Sequence, residues 1–263
     1  MKRRALGIIA FVLLAVFILL PLLQVVQLSF TSTLPREDVP KGTLTWLNYI
    51  NVFRTERLVD SLINSTIYVT LNVCLTLAVA LPAAYGFARY RFTGDRAAFF
   101  ALLAFRVTPP VVLSLPVFLL FAQVDLINTP VGVALVHCVF NVPIAIWILE
   151  SFIVSVPREF DETAFLDGHS TPSFLLRHLV PAIAPGIGAA AFFCFMFSWV
   201  EVVFARTLTI TDGKPITTAI SSLFGFRTDI GLVMAMTTLS LIPGLVMIWF
   251  VRHHISRGFM IRV

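Results

Sequence analysis

The sequence predicts an all-α membrane protein of six spanning helices, and three observations predict it. Mean hydropathy is +0.93, and 58% of the 263 residues are hydrophobic while only 13% are charged. No water-soluble domain buries that much apolar surface under so few charges, which excludes a soluble enzyme, a nucleic-acid-binding domain and a disordered chain. Apolar stretches of roughly 20 residues or more, the length that crosses a bilayer as a helix, recur six times. The formal charge of +5 comes from basic residues scattered between those stretches, a topology pattern and not a nucleic-acid footprint.

The spans fall near residues 5–29, 59–88, 97–124, 131–154, 185–205 and 230–251 of a single membrane domain, 1–263. The first resembles a signal peptide, since Lys2, Arg3 and Arg4 precede an apolar run. That run continues to Leu23 with no small-residue cleavage site after it, so a retained span is expected. Outside the spans, Lys2, Arg3, Arg4, Arg89, Arg91, Arg96, Arg158, Arg177, Arg252, Arg257 and Arg262 lie on one side by this count. Arg36, Lys41, Arg54, Arg57, Arg206, Lys214 and Arg227 lie on the other. The excess in the first set places both termini in the cytoplasm, as an even number of spans also requires.

Two connections are long enough to have structure of their own. Outside, residues 30–58 carry Leu44, Trp46, Tyr49 and Ile50 as an amphipathic patch suited to the membrane interface. Inside, residues 157–181 predict two short helices. Pro157 suits a first helical turn, and Glu159, Asp161 and Glu162 place negative charge at its positive end. Phe160, Ala164 and Phe165 share a face, and Gly168 is a natural left-handed stop. Thr171 can cap a second helix with Pro172 at its first position, and Pro181 ends it. Such a loop, tethered at both ends, could dock in a partner's groove and move as a lever, or rest on lipid.

The run Glu162-Thr163-Ala164, then Gly168, then Leu179-Val180-Pro181 resembles the EAA loop of permease subunits of binding-protein-dependent ABC importers. That family's pattern is Glu-Ala-Ala, three residues, Gly, nine residues, then Ile-x-Leu-Pro, and positions 165–167 and 169–177 reproduce both spacings. Thr163, His178 and Val180 depart from it. Asn64-Ser65-Thr66, Tyr85-Gly86-Phe87-Ala88-Arg89, Pro109-Pro110, Leu44-Thr45 with Asn48-Tyr49, and Arg257-Gly258 look like the carbohydrate-uptake, maltose-permease-like class. Trp199-Val200-Glu201 stands where that class has Trp-Asn-Glu, and a longer glycine-rich tail is replaced by residues 259–263.

The resemblance implies a multi-pass permease in a bacterial-type plasma (inner) membrane. Glu162, Ala164, Asp167, Gly168, Ser170 and Pro181 would couple it to an ATPase dimer. A second homologous permease and an external solute-binding protein would complete the assembly, the latter resting near residues 45–49 and 212–215. ATP and Mg would be bound by the ATPase partners, with no cofactor or metal in this chain; Gly213-Lys214 followed by Pro215 is not a phosphate-binding loop.

Within the spans, Arg106 and Glu201 are ions that must find water, a partner or an interface. The proline pair after Arg106 should break the third span and free backbone groups for a cavity. With Asn141 and Trp199 these residues could line a path for a hydroxylated solute, or Arg106 and Glu201 could pair with each other or with a second subunit. Cys74, Cys138 and Cys194 read as buried small hydrophobes, and His253 and His254 as headgroup contacts. A secondary transporter of a small polar solute is the alternative, but it predicts inverted repeats that the sequence does not display. An intramembrane enzyme would need a grouping of His, Cys, Asp or Glu that no spacing in the spans suggests.

Overall fold

The computed structural model describes residues 2–35, 40–225 and 228–258, with side chains between residues 7 and 249 of those ranges. The described residues are helical and contain no strand beyond an isolated bridge between Thr31 and Leu44. The helices are α1 (Lys2–Ser29), α2 (Leu47–Arg54), α3 (Glu56–Arg89), α4 (Asp95–Val107), α5 (Pro110–Gln123) and α6 (Pro130–Val154). They continue as α7 (Arg158–Leu166), α8 (Thr171–Ala182), α9 (Ala184–Trp199), α10 (Val203–Leu208), α11 (Ile216–Ser222) and α12 (Ile230–Gly258).

Helices α1, α3, α6 and α12 are each long and apolar enough to cross a membrane. Two bent pairs, α4 with α5 at 96° and α8 with α9 at 88°, bring the number to six if each pair is one span. The first break lies at Thr108 and Pro109, where the proline pair predicts one. Its near-right angle makes two half-helices of the stretch expected at 97–124. The span expected at 185–205 is shorter than hydropathy suggests: α9 ends at Trp199, residues 200–202 are non-helical, and α10 begins at Val203. Apolar Val200, Val202 and Val203 carry the hydropathy across this break and hide it.

The chain packs as two units, residues 1–62 with 216–243 and residues 63–215 with 244–263. In the first, Asn48 is fully buried and its amide donates to the carbonyls of Ser29 (2.9 Å) and Thr31 (3.0 Å). Tyr49 Oη and Ser29 Oγ share a 2.7 Å hydrogen bond. Thr33 Oγ1 donates to Asp229 Oδ1 (2.9 Å) and accepts from the Gly231 amide (2.8 Å). Of the patch predicted in this loop, Leu44, Trp46 and Ile50 are exposed and Tyr49 is half-buried.

The second unit is built on α6, which packs against α4 and most extensively against α9. Gly186 permits the close α6–α9 approach, because a Cβ there would lie 2.5–2.9 Å from the Phe152 side chain. One core joins Ala84 and Tyr85 of α3, Ile146, Leu149 and Ile153 of α6, and Ala190 and Cys194 of α9 to Ala164, Phe174 and Leu179 of the 157–181 loop. A second joins Tyr68, Val136 and Phe140 to Phe204 and Leu208 of α10. Cys138 and Cys194 are buried as expected, but Cys74 is exposed. Arg36, Arg227 and Arg262 lie outside the described residues, as do the side chains of Lys2, Arg3, Arg4, Arg252, His253, His254 and Arg257.

Candidate functional site

Two polar constellations stand out in the second unit. At one end, the 157–181 loop is fastened to the end of α3. Arg89 Nε donates to Asp161 Oδ2 (2.7 Å) and Nη2 donates to Oδ1 (3.0 Å) and to the Val156 carbonyl (2.9 Å). Tyr85 Oη adds a bond to Asp161 Oδ2 (3.1 Å). The two charged side chains are only 7% and 8% exposed. A guanidinium held in two places by one carboxylate fixes orientation as well as distance, so α7 cannot rotate independently of α3. Asp161, expected to act only as a helix-end charge, is the anchor of the loop.

Elsewhere in the loop some expected features are present and others are not. Pro157 caps α7 from just outside it, and Gly168 takes φ +83°, the left-handed turn expected there. Ser170, not Thr171, is the cap residue of α8, without a side-chain capping bond. Pro181 does not end the second helix; it lies inside it, and the chain turns instead at Ile183. Residues 175–179 widen into a π-helical turn. Phe174 is fully buried, ringed by Tyr85, Phe160, Phe165 and His178 at centroid distances of 5.3–6.3 Å. Ala164 is buried, whereas Glu162, Asp167, Gly168, Ser170 and Pro181 are exposed. Leu166 and Leu176 present bare apolar tips, 89% and 68% exposed.

The other constellation surrounds the break after α9. Glu201 Oε1 accepts from the Phe204 amide and Oε2 from the Ala205 amide, both at 3.0 Å, so this carboxylate caps α10. His137 of α6 donates from Nε2 to Glu201 Oε2 (3.1 Å), and its Nδ1 shares a hydrogen bond with Ser198 Oγ. Nε2 must carry a proton to face an ionised carboxylate, so in the neutral ring Nδ1 accepts from the Ser198 hydroxyl. Next to this group, Asn141 donates to Asn72 Oδ1 (2.9 Å) and to the Cys194 carbonyl (3.3 Å), tying α3, α6 and α9 together. Arg106 lies over the Phe197 ring, 4.4 Å from its centroid. Among the described residues Glu201 pairs with His137, and Arg106 has no carboxylate partner.

Arg106, Asn141 and Glu201 therefore meet, with His137 and Ser198, around one cavity of about 40 Å³. Trp199 is not part of its lining; its ring stacks on Phe195 at 5.6 Å. Sequence reasoning missed His137, Asn72 and Glu150, although each is polar or ionisable inside an apolar run, the signal that singled out Arg106 and Glu201. The grouping of Ser198, His137 and Glu201 is likewise invisible in the spacing, because His137 lies on another helix. No cluster of three or more His, Cys, Asp or Glu suited to a metal occurs among the described residues.

Residues 76–258 match the family model described as binding-protein-dependent transport system inner membrane component. The trehalose transport system permease protein SugB of Mycobacterium tuberculosis is 31% identical over 74% of this chain and 72% of its own length. The trehalose/maltose transport system permease protein MalG of Thermococcus litoralis is 28% identical over 97% and 95%. In three dimensions the chain is similar to one from a bacterial ABC transporter involved in the import of the acidic polysaccharide alginate, with a TM-score of 0.76, 20% identity, and coverage of 95% of this chain and 96% of the other. The chain thus belongs to the family of inner-membrane permease components of binding-protein-dependent transport systems.

Proposed function

We propose that this chain is the permease subunit of an ATP-driven importer of a sugar, polyol or sugar-phosphate-like solute. Its EAA-type loop, 157–181, would sit in a cleft of an ATPase subunit. The observation that carries the reading is mechanical. The loop shares a core with α3, α6 and α9 and is locked to α3 by Arg89 and Asp161, while Leu166 and Leu176 stay bare. A bare apolar tip on a rigidly mounted helix is what a groove-docking lever requires, and Glu162 and Asp167 add negative charge for basic partner residues. Family membership and relatives that transport trehalose, maltose or diacetylchitobiose support the solute class.

Both termini are then cytoplasmic, and ATP and Mg²⁺ are handled by an ATPase dimer. A second homologous permease faces this one, and an external binding protein delivers solute to the surfaces near residues 45–49 and 212–215. The path runs along the third to fifth spans past Arg106, Asn141, Glu201 and Trp199. Amide and carboxylate groups with an aromatic face suit hydroxylated solutes. The 40 Å³ cavity has room for a water molecule or so, so passage of a sugar requires it to widen. Reconstitution of the chain with its partners in proteoliposomes tests the reading: uptake of a disaccharide such as trehalose or maltose should require internal ATP and the binding protein. Uptake by this chain alone, driven by an ion gradient, would instead establish the secondary-transporter alternative.

A further inference from the structure

A cavity of about 550 Å³ opens where α3 ends, α4 begins and α6 meets the loop, and it is lined by Arg89, Arg91, Arg96 and Arg158 together with Asp95 and Glu150. Arg89 is neutralised by Asp161. Arg91, Arg96 and Arg158 have no ion-pair partner among the described residues. Four arginines against Asp95, Glu150 and Asp161 leave one positive charge in excess. With Pro130 placed at one edge of the hydrocarbon layer, Glu150, 20 positions further along α6, lies about 30 Å away, at the level of the opposite headgroups. Its lining also includes Phe99, Phe100 and Val154, the last two 68% and 56% exposed.

We propose that this cavity binds the headgroup of an anionic phospholipid bearing hydroxyls, of the phosphatidylglycerol type. Arg91, Arg96 and Arg158 hold the phosphodiester. Glu150 repels the phosphate and so accepts from the hydroxyls of the head instead. The first acyl carbons lie along Phe100 and Val154. A single negative charge balances the excess of one positive charge, which a zwitterionic head would leave standing. An anchored lipid here would steady the junction of α3, α4 and α6 from which the loop projects. The assignment rests on the membrane placement of these helices and not on the loop's docking partner.

Native mass spectrometry of the assembled transporter, titrated with defined lipids, tests it. The intact complex should retain one phosphatidylglycerol per copy of this chain and bind it at least tenfold more tightly than phosphatidylethanolamine. Arg91→Gln with Arg96→Gln should lower that affinity tenfold or more in a complex that remains assembled, and the corresponding lysine pair should restore much of it. Glu150→Gln should erase the preference for phosphatidylglycerol over phosphatidylmethanol, which lacks head hydroxyls. Unchanged retention in the glutamine pair overturns the proposal. So does displacement by soluble glycerol phosphate at equal concentration, which marks a free-phosphate site, or loss of ATPase subunits with lipid binding intact, which marks a protein contact.

Discussion

Arg89 and Asp161 illustrate how much a single pair decides. Each is nearly buried, and the carboxylate also accepts from Tyr85. Removing one partner leaves a desolvated charge, so Asp161→Ala should destabilise the chain by about 3–5 kcal/mol. Arg89→Ala should add little to it, a non-additivity readable from thermal unfolding of the two single variants and the double. At the break after α9, Glu201→Gln leaves one acceptor oxygen where two backbone amides and His137 Nε2 converge. A cost of about 1–3 kcal/mol in thermal unfolding is expected, with slowed uptake. If assembly falls and the flux per assembled complex does not, Glu201 is a structural cap and not a lining residue. Neither pairing is legible in the sequence, because Asp161 meets Arg89 across 72 positions and Glu201 meets His137 across 64. What was legible was the burden of ionisable groups in apolar runs, and the same reasoning extended to His137 and Glu150 would have flagged both.

At the scale of elements, the long apolar runs made α1, α3, α6 and α12 legible, with boundaries near those observed. Proline chemistry made the break before α5 legible too, though not its angle. The end of α9 at Trp199 was hidden because Val200 and Val202 keep the run apolar while Glu201 starts a new helix. In the loop, Gly168 was readable as a left-handed turn because no other residue type between α7 and α8 adopts φ +83° so easily. The strain of a substitution there is conformational, since nothing lies within 4 Å of a Cβ built on it. Gly168→Val should therefore tilt α8 at a cost of about 1–3 kcal/mol and uncouple ATP hydrolysis from uptake. Gly168→Asn, which tolerates the left-handed region, should keep most of the coupling. Equal coupling ratios in the two variants would show that the turn does not transmit the motion.

For the whole molecule, the topology proposed from charge bias would put residues 30–58 and the 157–181 loop on opposite sides of the membrane. Cysteines introduced at Lys41 and Ser170, both exposed, should react with an impermeant reagent from opposite faces of sealed vesicles. Labelling of both from one face contradicts the topology. The family assignment fixes what the chain is, and the rigidly mounted loop supplies a reason why its motion would be conveyed to the spans. The most direct measurement is photo-crosslinking from position 166, whose leucine is 89% exposed at the tip of the loop, in the complete transporter. The account predicts an adduct with the ATPase subunit; an adduct with lipid or with the external binding protein, and none with the ATPase, would contradict it.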